Sequence, residues 1–174
     1  VTARDISENK GFASRIFKTN IYIENNPESV YNFVMKIPTS DCMNHVMDET
    51  MDKDNKDSIV MMQDGKLDEK LAQIHNVECD FYGIFKDIKG LPMARVMYTQ
   101  KFLPQENRIG VIFMEDLSGK MDILGIFGSL NVHQIKTIVK HLAAFHAQLY
   151  NMEEKWKNRF PFKVIDEDFV IDDG

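Results

Sequence analysis

The chain has 174 residues, of which 44% are hydrophobic and 28% charged, with a net charge of −6. This is the balance of one globular domain or of part of a larger protein. The negative charge argues against nucleic acid as a partner, which asks for a basic face, and no run reaches the roughly 18 apolar residues that span a bilayer.

The opening "VTARDISENKGF" has no apolar signal-peptide core, so a cytoplasmic location is expected, although a first residue of Val1 suggests a fragment of a longer chain. "GFASRIFKTNIYIENNPESVYNFVMKIPT" reads as a hairpin, with arms at Ala13 to Ile23 and Val30 to Ile37. The Asn- and Pro-rich "ENNPES" forms its turn, and Pro38 ends the second arm by removing a backbone donor. Residues 41–66, rich in Asp, Lys and Met, carry no steady period and read as a surface insertion. Their "DKDNKDSIVMMQDG" lacks the glycine and terminal glutamate of an EF-hand loop. Cys42, in this insertion, and Cys79 have no CxxC or Cys/His spacing and read as free thiols rather than metal ligands.

From Lys66 to Phe85 the pattern turns helical, with Leu67, Leu71, Ile74, Glu78, Phe81 and Phe85 at spacings of three or four. "DIKGLPMA" breaks this helix. Two strands follow, "ARVMYTQKFL" and "RIGVIFMEDL", joined by "PQEN". After the glycine-bearing connector "SGKMDILGIFGS", a second helix runs over Val132 to Tyr150, capped by Asn131. Its apolar stripe contains His146, which reads as a core histidine, whereas His75 on the first helix reads as half-exposed. The tail ends in an acidic segment. Hairpins with one helix between them predict an α+β fold, a small antiparallel sheet covered by that helix.

One residue conflicts with its surroundings. Lys36 lies in the apolar run "VYNFVMKIP", where an unpaired ammonium is costly. A strand-end lysine can snorkel to solvent, and a helix glutamate such as Glu78 can simply be exposed. A helix packed across the sheet, however, can aim Glu78 at Lys36, neutralising it and leaving donors for a phosphate. Gly11 and Ser14 stand at the entrance of the preceding strand, where a phosphate-covering loop belongs, although GxGxxG is absent. This is the logic of a kinase N-terminal lobe.

In this order, "KGFASR", "FVMKIPT", "HNVECDFY", "VIFMEDLSGK" and "HLAAFHAQL" resemble the choline-kinase-like family that includes the ecdysteroid-kinase-like proteins, and look closest to a nematode branch without an assigned substrate. The resemblance implies a protein-kinase-like fold, related to aminoglycoside phosphotransferases, and transfer of phosphate from ATP to a small-molecule hydroxyl. Residues 1–117 are then the nucleotide-binding lobe, and 118–174 the hinge and start of the second lobe. Gly11, Phe12 and Ser14 match the phosphate-covering loop, Lys36 the phosphate-binding lysine and Glu78 its partner. Phe113, Met114, Glu115, Asp116 and Leu117 match the strand leading into the hinge. Backbone groups near Glu115 and Leu117 would bond the adenine edge, and Phe113 or Met114 would line the pocket. Asp116 would steady the hinge backbone. The family's "HGDxWxxN" segment and later metal-binding aspartate find no match here, so magnesium ligands and catalytic groups are expected outside these residues, and the chain alone is expected to be inactive. The alternative is a catalytically dead, pseudokinase-like binding module.

Overall fold

The computed structural model describes residues 1–7, 13–24, 26–40, 66–121 and 128–160. Gly11, Phe12, most of the 41–66 insertion with Cys42, and the acidic tail lie outside them.

Five strands form one antiparallel sheet: β1 (Thr2–Asp5), β2 (Ser14–Ile23), β3 (Asn26–Pro38), β4 (Val96–Gln100) and β5 (Val111–Glu115), in the order β1-β2-β3-β5-β4. The expected hairpin is β2 with β3, and β3 ends at Pro38 as its missing N–H requires. β3 begins at Asn26, earlier than Val30, because a register shift between Tyr22 and Ile23 absorbs the extra residues at the hairpin tip. Much of the Pro-containing "ENNPES" stretch is therefore strand rather than turn. β1 has no counterpart in the sequence reading, because its four exposed residues show no alternation. What fixes it is local. The Ile6 N–H donates to the Ile16 carbonyl at 2.8 Å, and the Ser7 hydroxyl accepts from the Ile16 N–H at 2.7 Å.

Helix α1 (Lys66–Phe85) lies across the sheet with the predicted bounds. Leu71 and Phe85 of the expected stripe are buried, and Ala72, His75 and Cys79 are buried with them, whereas Leu67, Ile74 and Phe81 are only half-buried. Small Ala72 and Cys79 let the helix approach closely, and Ile112 of β5, fully buried, sits at the centre of this core. His75 was expected to be half-exposed and is buried instead, with Nε2 2.9 Å from the Gln100 carbonyl. A Cβ on Gly110 would lie 2.6 Å from that Nε2, so only glycine admits the imidazole here. Beside it Asn76 works like a strand partner, its amide donating to the Phe102 carbonyl at 3.0 Å and accepting from the Phe102 N–H at 2.8 Å.

Helix α2 (Val132–Tyr150) starts in a capping box, with Asn131 and Gln134 each accepting the other's backbone N–H. Phe145 packs against Phe81 and Phe85, and His141 Nδ1 meets the Gly90 carbonyl at 2.6 Å. Val132, Ile135, Ile138, Val139 and Leu142 are exposed, and so is His146, which corrects the expectation of a core histidine. Among the described residues nothing covers that side of the helix, so a position on the apolar stripe does not bury its side chain.

Candidate functional site

Lys36 lies on the central strand, opposite Ile16 of β2 and Ile112 of β5. Directly opposed residues of antiparallel strands share a face. Ile16 and Lys18 of β2, Val34 and Lys36 of β3, and Ile112 and Met114 of β5 therefore lie on one side of the sheet. From α1, Glu78 meets Lys36 there. Nζ is 2.8 Å from Oε1 and 2.7 Å from Oε2, a contact with both carboxylate oxygens.

The two side chains are 27% and 25% exposed, which decides between the readings of Lys36. A snorkelling lysine would be free of the sheet, and a sealed pair would offer nothing to a ligand. Here the ammonium is neutralised by both Glu78 oxygens, and the pair as a whole stays partly exposed. The arrangement can hold an anionic oxygen on Lys36 without an uncompensated charge in the empty state. Tyr82 follows Glu78 by one helical turn, and burial, then the Glu78 charge, push its hydroxyl above the usual tyrosine range.

Ser14 is buried and sits opposite Pro38, at the Lys36 end of the same face. Met114 is on that face too. Phe113, named with it as a pocket-lining residue, points to the opposite face, where its ring lies 5.1 Å from Phe33 and 5.7 Å from Tyr98. The period of two along a strand makes this choice between neighbours, and register supplies what the motif left open.

At the end of β5 the chain is held by its own polar groups. The Glu115 N–H donates to the Arg95 carbonyl at 2.9 Å, and its carboxylate accepts from the Arg95 N–H at 2.8 Å. The Leu117 carbonyl accepts from the Lys120 N–H at 2.9 Å, in a turn that Gly119 permits with φ of 75°. Asp116 accepts from the Ser118 N–H at 2.8 Å, as expected of a residue steadying this segment. It also pairs with Lys18 at 2.7 Å, a contact no local pattern announces because it depends on β2 and β5 flanking β3. The Lys18 ammonium, with help from Ser118, holds the Asp116 carboxyl down at about 2.

Two further groups lie close to Glu78 on α1. Burial lowers the His75 pKa, keeping the ring neutral, and raises the Cys79 thiol to about 11. A thiol so protonated is a poor nucleophile, and Cys79 is a structural residue. Among the described residues, no three or more His, Cys, Asp or Glu side chains converge where they could hold a metal ion.

An antiparallel five-stranded sheet, one helix across it and a lysine–glutamate pair between them make an α+β fold compatible with a kinase-like N-terminal lobe. The chain belongs to the DUF1679 family, whose model, described as "Uncharacterized oxidoreductase dhs-27", matches residues 1–170. It is similar to the Caenorhabditis elegans protein named "Uncharacterized oxidoreductase dhs-27", with 26% identity over 154 residues. That match covers 88% of this chain but only 18% of the relative, so the chain spans less than a fifth of the relative's length. Neither description mentions a kinase or a nucleotide, and no solved structure matches.

Proposed function

We propose that this chain is the nucleotide-binding lobe of an ATP- and magnesium-dependent kinase-like protein that phosphorylates a small-molecule hydroxyl. The observation that carries the reading is the contact of Lys36 Nζ with both oxygens of Glu78, made between the central strand and helix α1 across the sheet. An ammonium fixed in this way, in a pair that is partly exposed, is suited to a nucleotide phosphate. Ser14, Met114 and the 115–117 backbone would complete the site. Glu115 spends its N–H on Arg95 and Leu117 spends its carbonyl on Lys120, so the Leu117 N–H is the donor we assign to the base edge. The residues of this lobe fit a phosphate better than a metal ion, and the magnesium ligands and acceptor pocket are assigned to parts of the protein beyond it.

The oxidoreductase in the relative's name belongs to that protein, of which this chain matches 18%. Dinucleotide-binding folds are built on parallel strands with a glycine-rich first turn, whereas every strand pairing described here is antiparallel. Calorimetric titration with ATP and magnesium tests the proposal, with NADH as the comparison ligand. ATP should bind, and Lys36→Ala should weaken it by about 2 kcal/mol, roughly thirtyfold, the usual value of a charge-assisted hydrogen bond. Equal ATP binding by wild type and Lys36→Ala, or tight binding of NADH in place of ATP, would refute it.

A further inference from the structure

Lys18 and Asp116 form a second ion pair on the same face of the sheet as Lys36. Their positions are unusual for a surface pair. Lys18 is on β2 and Asp116 directly follows β5, and β3 runs between those strands. Two strand spacings separate them, roughly 10 Å. Lys18 is opposite Val34, so its stem must cross β3 beside that residue to bring Nζ within 2.7 Å of Asp116 Oδ2. Val34 is buried, in keeping with a covered position. Asp116 is itself 11% exposed, and its other oxygen is taken by the Ser118 N–H at 2.8 Å, so both ends of the bridge are anchored.

We infer that the Lys18–Asp116 pair is a positioning clasp that closes the base end of the nucleotide site, tying β2 to the segment after β5 while Lys36 serves the phosphate end. The inference rests on the nucleotide reading above and adds to it a division of labour along one face. Lys18 and Lys36 are diagonal neighbours, roughly 7–8 Å apart along this face. Left free, Lys18 would be a second cation competing for the triphosphate. Bound to Asp116 it is neutralised, and the attraction for phosphate is concentrated at Lys36. The stem then lies over Val34, and the 116–118 turn is held in place to present its backbone.

The test separates base from phosphate by titrating the chain with ATP and, separately, with inorganic tripolyphosphate. Lys36→Ala should weaken both ligands. Asp116→Asn and Lys18→Met should each weaken ATP about tenfold and leave tripolyphosphate as tight as in wild type or tighter. Lys18→Arg, which keeps the pair, should bind ATP like wild type. Lys18 is 37% exposed, so Lys18→Met should keep the fold even if Asp116→Asn loses it, and circular dichroism checks this. Unchanged ATP affinity in folded Lys18→Met, or an equal loss for tripolyphosphate, overturns the clasp while the Lys36 result stands. Absence of ATP binding in wild type overturns the nucleotide reading and the clasp with it.

Discussion

Gly110 and His75 constrain one another at the centre of the core. A methyl group on Gly110 would stand 2.6 Å from His75 Nε2 and 2.7 Å from the Phe102 Cβ, and neither the buried imidazole nor the Asn76-bonded Phe102 backbone can give way cheaply. Gly110→Ala should therefore cost about 1–3 kcal/mol, the range for overpacking, measurable as a lower urea midpoint at unchanged slope. An unchanged midpoint would mean that the helix can lift off the sheet. Burial also makes His75 a source of pH dependence. Its folded pKa lies below the ordinary histidine value of 6.5, so the unfolded chain takes up the proton first. The stability associated with neutral His75 is complete above that unfolded value and is lost as the pH falls below it, towards the folded value. The slope is at most about 1.4 kcal/mol per pH unit. Urea midpoints compared above and below that value should show the decline, and His75→Gln should flatten this part of it. A wild-type midpoint that does not move would sink the account. Lys36 and Glu78 were legible in the sequence because a charge in an apolar run demands a partner. His75 was not, because its burial depends on Gly110 and Phe102, which no helical period reveals.

The helices were legible as elements. Lys66–Phe85 and Val132–Tyr150 end where periodicity and breakers place their limits. The phase of α1 was less so, since Ala72, His75 and Cys79 are buried whereas Leu67, Ile74 and Phe81 are only half-buried. A period says which residues share a face, and the depth of the groove opposite says which face goes in. Strand limits followed the same division: Pro38 marks an end by its chemistry, whereas β1 and the start of β3 exist only through their pairing with β2. For α2 the start is chemical, and it can be tested by itself. Asn131→Ala removes the side chain that accepts the Gln134 N–H at 3.0 Å and should cost about 1 kcal/mol. A thermal midpoint that falls with partial loss of helical ellipticity is the expected result. No change in either would mean that α2 is held by its tertiary contacts with Phe81, Phe85, Lys89 and Gly90 rather than by its cap.

At the scale of the molecule, α2 is the least settled part of the surface. One side is committed: Phe145 meets Phe81 and Phe85, Gln148 engages the backbone at Lys89, and His141 engages Gly90. The other side presents Val132, Ile135, Ile138, Val139 and Leu142, each between 45% and 64% exposed. Five large apolar side chains on one contiguous helical face make a patch of the kind that monomeric proteins rarely leave in water. The hydrophobic term scales with apolar area, and burying such a face between molecules is favourable whatever the site on the sheet does. The chain in solution should therefore associate with itself as its concentration rises, visible as a rising weight-average mass in sedimentation equilibrium. Val139→Glu and Leu142→Lys together should reduce that association. They should leave the unfolding free energy within about 0.5 kcal/mol of wild type, as substitutions at exposed positions usually do. A large loss of stability in the double variant would show that this face is covered within the monomer. Association that persists unchanged in a stable double variant would place the contact elsewhere, with the exposed aromatic residues Tyr22, Tyr31 and Tyr98 next to be tested.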